Sequence, residues 1–512
     1  MPFPADFRFG VATASYQIEG AVAEGGRGRS IWDTFAHTPG KVTGGATGDV
    51  ACDHYHRWRS DIELMAGLGI DSDRLSIAWP RIMPNGRGEV NPEGVAFYRG
   101  LLSDLRSRGI RPVVTLYHWD LPQALQDEGG WVNRETAHAF AEYARVVARE
   151  LGDLVDLWIT LNEPWCVAFL GHASGVHAPG HTDPAEALTA AHHLNLAHGL
   201  AARSLREELG QETPVSISLN IHVTRPVAVD DDAHLAAVRR IDHVGNHIFL
   251  GPLLEGSYPT EWIAETRHIT DWSFIREGDL VTIRQRLDVL NLNYYQVAYV
   301  QPASGDGPRL SGGHGAGAAS PWVGCDDIEF LPPEGPTTEM GWGVDETGLL
   351  DLLVALDRNY PDLPLMISEN GAAYPAEMVV VEGGVSVHDP QRIDYLRRHL
   401  GAVEEALEAG IDVRGYLLWT FMDNFEWAFG YGPRFGIVYT DFESLERHPK
   451  DSYHWYRDFI TGSRERAVEV VEAEATASPE PSRARRSRRG TEQPRHGTEQ
   501  PRRGFLSRFR GR

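Results

Sequence analysis

Along residues 1 to 466, short apolar runs alternate with longer segments whose apolar positions recur every three or four residues. Eight runs have the length and the β-branched or aromatic content of strands: FGVATAS, DRLSIAW, RPVVTLYHW, DLWITLNE, PVSISLN, VLNLNYY, PLMISEN and VRGYLLWT. Helix-period stretches lie between most of them, as in ETAHAFAEYARVVARELG and the segment 186–208. Strands alternating with helices predict parallel βα units, and eight such units predict an α/β fold of one closed (β/α)8 TIM barrel with enlarged βα loops. The competing architecture is an open doubly wound sheet, but no GxGxxG turn follows the first run.

The periodicity stops near residue 466, which sets the expected domain at 1–466 and leaves 467–512 as a disordered, Arg-rich tail. Residues 481–512 hold eleven Arg against two Glu, a net +9 that leaves −33 on residues 1–480. The hexapeptide GTEQPR occurs twice there, at 490–495 and 497–502. A solvated extension is one reading of this tail. The other is a tether to an acidic surface, nucleic acid or anionic lipid, with Phe505, Leu506 and Phe509 adding apolar contact.

Charge and composition narrow the classes further. A formal net charge of −24 disfavours nonspecific binding of nucleic acid by the main domain. No run of about 18 apolar residues suggests a membrane span, and the N-terminus lacks the features of a secretory signal. Cys52, Cys166 and Cys325 are odd in number, far apart and without metal-site spacing, which predicts free buried thiols in a reducing, cytoplasmic setting. No metal or other cofactor is expected. A homo-oligomer is compatible with the sequence.

The chemistry sits where the runs end. Gln17, Arg74, His118 with Trp119, Asn162 with Glu163, Asn220, Asn293 with Tyr295, Glu369 with Asn370, and Trp419 all lie at or just past the end of a run. In a βα barrel those ends converge on one mouth. Helix capping is the competing role for Asn220 or Asn370 taken alone. It explains Glu163 and Glu369 less well, because each stands beside an Asn and a buried carboxylate costs several kcal/mol unless paired. Two carboxyls among aromatics and neutral hydrogen-bonding side chains suit glycoside hydrolysis, in which one protonates the leaving oxygen and the other attacks or activates water. Polar side chains would read sugar hydroxyls while Trp119, Trp342, Trp419, Trp427 and Phe435 offer apolar faces.

The blocks FRFGVATASYQIEGA, SIWDTF, RLSIAWPRI, TLYHWDLPQAL, TLNEPW, HAPG, LNYY, MGW, ISENG and WTFMDNFEWAFGYGPRFGIVYTDF stand in one order over about residues 6 to 460. Together they resemble glycoside hydrolase family 1, the β-glucosidase family. The resemblance implies Glu163 as acid/base and Glu369 as nucleophile, with Arg74, Asn293 and Tyr295 in support. It implies Gln17, His118, Trp119, Asn162, Trp342, Trp419, Glu426, Trp427 and Phe435 as substrate contacts, Asn162 meeting the sugar 2-hydroxyl. The Glu426 carboxylate would accept bonds from the outer hydroxyls of an uncharged sugar and repel a 6-phosphate.

The implied activity is hydrolysis, with retention, of terminal β-D-glucosyl residues from aryl or alkyl β-glucosides or short β-gluco-oligosaccharides, including those of cellulose degradation. Open alternatives are a broad β-galactosidase/β-fucosidase, a transglycosidase, and a barrel that binds carbohydrate without turnover. The sequence departs from the family pattern at Asp73, Leu75, Asn291, Gly343, Glu346 and Thr420, none of them a proposed catalytic side chain.

Overall fold

In the computed structural model, which describes residues 3–305, 312–313, 319–381 and 384–476, all eight expected runs form strands of one closed barrel. They are β1 (Arg8–Ala12), β2 (Ser72–Ser76), β3 (Arg111–Tyr117), β4 (Leu157–Asn162), β5 (Val215–Asn220), β6 (Leu290–Asn293), β7 (Leu365–Asn370) and β8 (Val413–Trp419). Every neighbouring pair is parallel, and β1 closes on β8 with Ala12 beside Trp419.

One long helix follows each strand: α1 (His54–Leu68), α2 (Pro92–Ser107), α3 (Glu135–Leu151), α4 (Pro184–Leu209), α5 (Asp232–Asp242), α6 (Glu346–Asn359), α7 (Pro390–Glu408) and α8 (Asp451–Thr476). Their starts follow from local chemistry. Asp183 caps α4 by accepting from Ala185 N and Glu186 N, ahead of Pro184, which has no N–H to lose at that position. Their buried faces have the helical period, as with Phe140, Tyr143, Ala144, Val147 and Leu151 on α3. α8 crosses residue 466, so the order expected to stop there continues in a helix to Thr476. The rest of the expected tail, 477–512, lies outside the described residues.

The apolar core has two parts. The larger lies between the strands and the helix ring. The smaller, with Val113, Leu157, Ile159, Met366, Leu417 and Trp419, fills the barrel itself and forms a floor beneath the polar mouth. Asp73 and Leu75, two of the departures from the family pattern, share a small internal cavity with His54 and Ile62 of α1. Burial pushes the Asp73 carboxyl up to about 7, against the pull of His54.

The enlarged loops carry small sheets of their own. One is three-stranded, over Val223–Pro226, Val297–Pro302 and Ile328–Leu331; two are hairpins, over Glu377–Val381 with Gly384–His388 and over Val438–Thr440 with Arg447–Pro449. At the start of the β7 loop only a glycine fits, because a Cβ on Gly371 would overlap the carbonyl oxygen of Trp419. That close approach brings the end of β7, with Glu369, against the end of β8, with Trp419.

Candidate active site

The strand ends build a single cleft at the barrel mouth. Its wall includes His118, Trp119, Glu163, Asn293, Tyr295, Trp342, Glu369, Trp419, Glu426, Trp427 and Phe435, all expected from the sequence. The remaining three expected residues, Gln17, Arg74 and Asn162, are buried and bond the residues of the wall.

Glu369, at the end of β7, is held by two groups. The Arg74 guanidinium from β2 pairs with Oε1, and Tyr295 Oη donates to Oε2 at 2.7 Å. Both partners fix its orientation. Arg74 is itself buried, and it also donates to Ser368 O (3.1 Å) and Asn162 Oδ1 (2.6 Å).

Glu163 follows β4 and has a different setting. Asn293 Nδ2 donates to its Oε1 at 2.7 Å and the Cys166 thiol donates to Oε2 at 3.1 Å. No cation pairs with it among the described residues. Burial first, then the charge of Glu369, pushes its carboxyl up to about 7, while Asn293 and Cys166 pull it down. Its backbone φ is +45°, and Trp119 and Trp427 have φ of +76° and +48°. Left-handed backbone disfavours residues bearing a Cβ, so tertiary contacts must hold these three in place. For Trp119 one such contact is the indole N–H donating to Asn162 O at 3.0 Å.

Hydrogen bonding assigns the proton of His118. Arg74 and Asn293 both donate to Asn162 Oδ1, so the Asn162 amide nitrogen faces His118 Nε2, 3.0 Å away. Nε2 therefore accepts, and the ring proton resides on Nδ1. Burial and the nearby Arg74 charge hold the ring neutral, well below its ordinary pKa. Nδ1 has no partner among the described residues, which leaves a donor for a ligand hydroxyl.

Deeper in the cleft, Gln17 Nε2 donates to Asn424 Oδ1 and Phe425 O, both at 3.0 Å, and makes a longer contact of 3.4 Å to Glu426 Oε2. Burial, then the charges of Glu369 and Glu163, push Glu426 up to about 8. The carboxyl expected from the sequence is thus held above the usual carboxylate range in the sugar-free cleft. Three carboxyls share the cleft and no Lys or Arg lines it among the described residues.

Aromatic rings form the remaining surfaces. Trp119 and Trp427 meet at 4.5 Å between ring centroids, and Trp427 packs on Trp32 at 4.6 Å. Opposite, Tyr295 and Trp342 meet at 5.2 Å and Trp342 and Phe435 at 6.0 Å. Trp342 is half-buried, with its indole N–H donating to Gly313 O at 2.9 Å. Beside it, a Cβ on Gly343 would stand 2.8 Å from Pro333 Cβ, so the Glu frequent there in the family would displace Pro333. Thr420 keeps the hydroxyl of the Ser it replaces and donates to Ala12 O at 2.6 Å.

Sequence reasoning missed Cys166, Leu170, His177, His222, Gln296, Met340 and Phe429, which also line the cleft. Cys166 was legible in principle: it lies three residues after Glu163, a spacing that puts two side chains on one face of a helical turn. Leu170, one turn further along the same helix, shares that spacing, and the others reach the mouth from the long connections after the strands, where no periodicity marks the inward side.

Known proteins share this architecture. A 51% identical relative, a bifunctional β-D-glucosidase/β-D-fucosidase from Bifidobacterium breve, aligns over 90% of this chain and 98% of its own length. β-Glucosidase A from Thermotoga maritima is 43% identical over 90% of this chain and 97% of its own. Among solved structures, a psychrophilic β-glucosidase from Micrococcus antarcticus superposes with a TM-score of 0.85 at 44% identity, covering 91% of this chain and 98% of that one. With residues 1–465 matching the profile of Glycosyl hydrolase family 1, the chain belongs to that family.

Proposed function

We propose that this glycoside hydrolase is a retaining β-glucosidase in which Glu369 is the nucleophile and Glu163 the acid/base. The observation that carries the assignment is the asymmetry of the two carboxyls. Glu369 is paired with Arg74 and Tyr295, whereas Glu163 forms no ion pair among the described residues and is pushed up to about 7. An ionised carboxylate can attack, and a carboxyl with a raised pKa can carry the proton to the leaving oxygen.

In the first step a Glu369 oxygen bonds to the anomeric carbon, the glycosidic bond breaks, and the Glu163 proton passes to the departing aglycone oxygen. Esterification cancels the charge on Glu369 that had raised Glu163, so Glu163 becomes a stronger acid and stays ionised when it must act as base. Water then gives its proton to Glu163 and its oxygen to the anomeric carbon, whose ester bond to Glu369 breaks and returns the carboxylate. Two inversions restore the β configuration. In this reading Asn162 serves the 2-hydroxyl, with its neighbour His118 presenting Nδ1–H and Trp419 supporting the ring.

This mechanism carries a signed pH dependence. Glu163 must be protonated in the free enzyme for the first step, so kcat/KM should be retained below about pH 7 and fall tenfold per unit above it. Stopped assays with an alkyl β-glucoside check this; a profile flat to pH 9 would remove Glu163 as the proton donor.

The substrate class is best tested by kcat/KM over aryl β-glucoside, β-galactoside and β-fucoside, cellobiose and an aryl β-glucoside 6-phosphate. Turnover should favour the glucoside, with the fucoside, which lacks the 6-hydroxyl and inverts the 4-hydroxyl, lower by roughly tenfold or more, the worth of at least one hydrogen bond. The bifunctional relative favours the dual glucoside and fucoside reading. The 6-phosphate should be poorest, since its dianion would enter a cleft that no Lys or Arg lines among the described residues. A galactoside preference would overturn the glucose assignment, and sugar binding without turnover of any of them would favour a binding barrel. Product ratios at high acceptor concentration separate hydrolysis from transglycosylation.

Short cello-oligosaccharides as substrates and a cytoplasmic setting complete the reading. The three buried free thiols support the latter. No helix among the described residues is long and apolar enough to cross a membrane.

A further inference from the structure

Between β4 and α4, three side chains with no part in the proposed reaction converge. His172 lies in the wide-turn helix Cys166–Ser174, His181 in the loop after it, and Glu186 in the first turn of α4. One donor atom from each of the three falls within 4.8 Å of the others. Glu186 Oε2 is shared: His181 Nδ1 is 2.7 Å from it and His172 Nδ1 is 3.5 Å from it. The two imidazole rings stand nearly perpendicular, at 88°.

His172 is the second observation. It is fully buried, and neither ring nitrogen makes a hydrogen bond among the described residues beyond the long contact to Glu186. Buried polar atoms normally find partners. A buried imidazole facing a carboxylate, with a second imidazole on the same oxygen, has the donor set of a transition-metal site.

The backbone sets this spacing. His181 N donates to Gly171 O at 2.9 Å and Asp183 N to His172 O at 2.7 Å. Asp183 then caps α4 through Glu186 N, at 3.3 Å. All three side chains therefore project from segments tied to one another by main-chain hydrogen bonds.

We propose that His172, His181 and Glu186 bind one zinc-class divalent cation, with water completing a tetrahedral shell. Zinc bonds of about 2.0–2.2 Å place tetrahedral donors about 3.4 Å apart, which the His172–Glu186 pair already matches. The His181–Glu186 pair has to open from 2.7 Å, the His181 proton moving from Nδ1 to Nε2 so that Nδ1 offers a lone pair. Two imidazoles and one carboxylate select zinc-class ions over magnesium and calcium. His181 and Glu186 side chains are 42% and 35% exposed, which leaves an entry path.

The ion would be structural. It would clamp the loop that supplies Leu170 and His177 to the cleft wall, two residues already joined by His177 N donating to Leu170 O at 3.1 Å. The inference does not depend on the catalytic roles assigned to Glu163 and Glu369.

The test uses the full chain, stripped with chelator and desalted, and titrated with Co2+ and then Zn2+. One equivalent of Co2+ should bind with the visible absorption of a tetrahedral centre and be displaced by Zn2+. Zinc at a hundredfold over Kd should raise Tm on the order of 2–3 °C. His181→Ala and Glu186→Gln alter partly exposed side chains, so their metal-free Tm should stay near that of the parent, while their affinity falls at least tenfold and the cobalt spectrum is lost. Because the chain holds 22 histidines, binding of equal strength in the parent and both variants would place the ion elsewhere and overturn the proposal, as would a parent that binds no stoichiometric cobalt.

Discussion

Glu369→Gly is expected to reduce kcat on an aryl β-glucoside on the order of 10⁶-fold, the scale of losing a nucleophile in other hydrolases, and added azide should restore turnover as the α-glycosyl azide. The glycine opens a hole on the face of the sugar opposite the aglycone. An anion that fills it attacks once, and Glu163 still protonates the leaving oxygen, so one inversion replaces two. The variant also leaves Arg74, which is 1% exposed, without its carboxylate. Removing one partner of a buried pair costs about 3–5 kcal/mol, so Tm should fall and partly recover when azide or formate restores a negative charge beside the guanidinium. Glu369→Gln, which fills the hole, should be equally inactive and should not respond to azide. Rescue of Glu369→Gly that yields the β-azide would mean the substituted residue was the acid/base and reverse the two roles.

The barrel was legible because each of its strands is a short apolar run buried on both faces, and each run ends abruptly in a group that needs a hydrogen-bonding environment. That break between apolar run and polar end is a local signal, and it located Glu163, Glu369, Asn293 and His118 without any knowledge of how the chain closes. The loop strands were not legible for the opposite reason. Glu377–Val381 and Gly384–His388 form a hairpin with exposed Met378, Val380 and Val385, so no buried face imposes alternation on the sequence. Cleft residues such as Gln296 and Met340 face inward only because long loops fold back over the mouth. The same gap affected charge. Glu426 reads from the sequence as a carboxylate, yet burial, and then two neighbouring carboxyls brought close by the closure of the barrel, raise it to about 8.

Glu163→Ala separates the two steps that the mechanism assigns to one residue. With an alkyl β-glucoside, whose leaving group needs the proton, kcat/KM should fall by roughly 10²–10⁴-fold, the usual worth of general acid catalysis. With a dinitrophenyl β-glucoside, whose leaving group departs unassisted, the first step should be nearly spared and the second should become limiting, because water has lost its base. Azide should then accelerate turnover by attacking the glycosyl-enzyme on Glu369 from the face that Glu163 vacates, and the product should be the β-glycosyl azide. The alkaline fall in kcat/KM should vanish with the carboxyl that burial and Glu369 push up. Position 163 has φ +45°, a backbone that alanine tolerates no better than glutamate, so the substitution leaves the local strain in place. Glu163→Gly should show the same kinetics with stability higher than the Ala variant by about 1–2 kcal/mol, which ties the kinetic effect to the lost carboxyl. Equal losses on the alkyl and dinitrophenyl substrates, with no response to azide, would mean that Glu163 supports the site's structure and that another group delivers the proton.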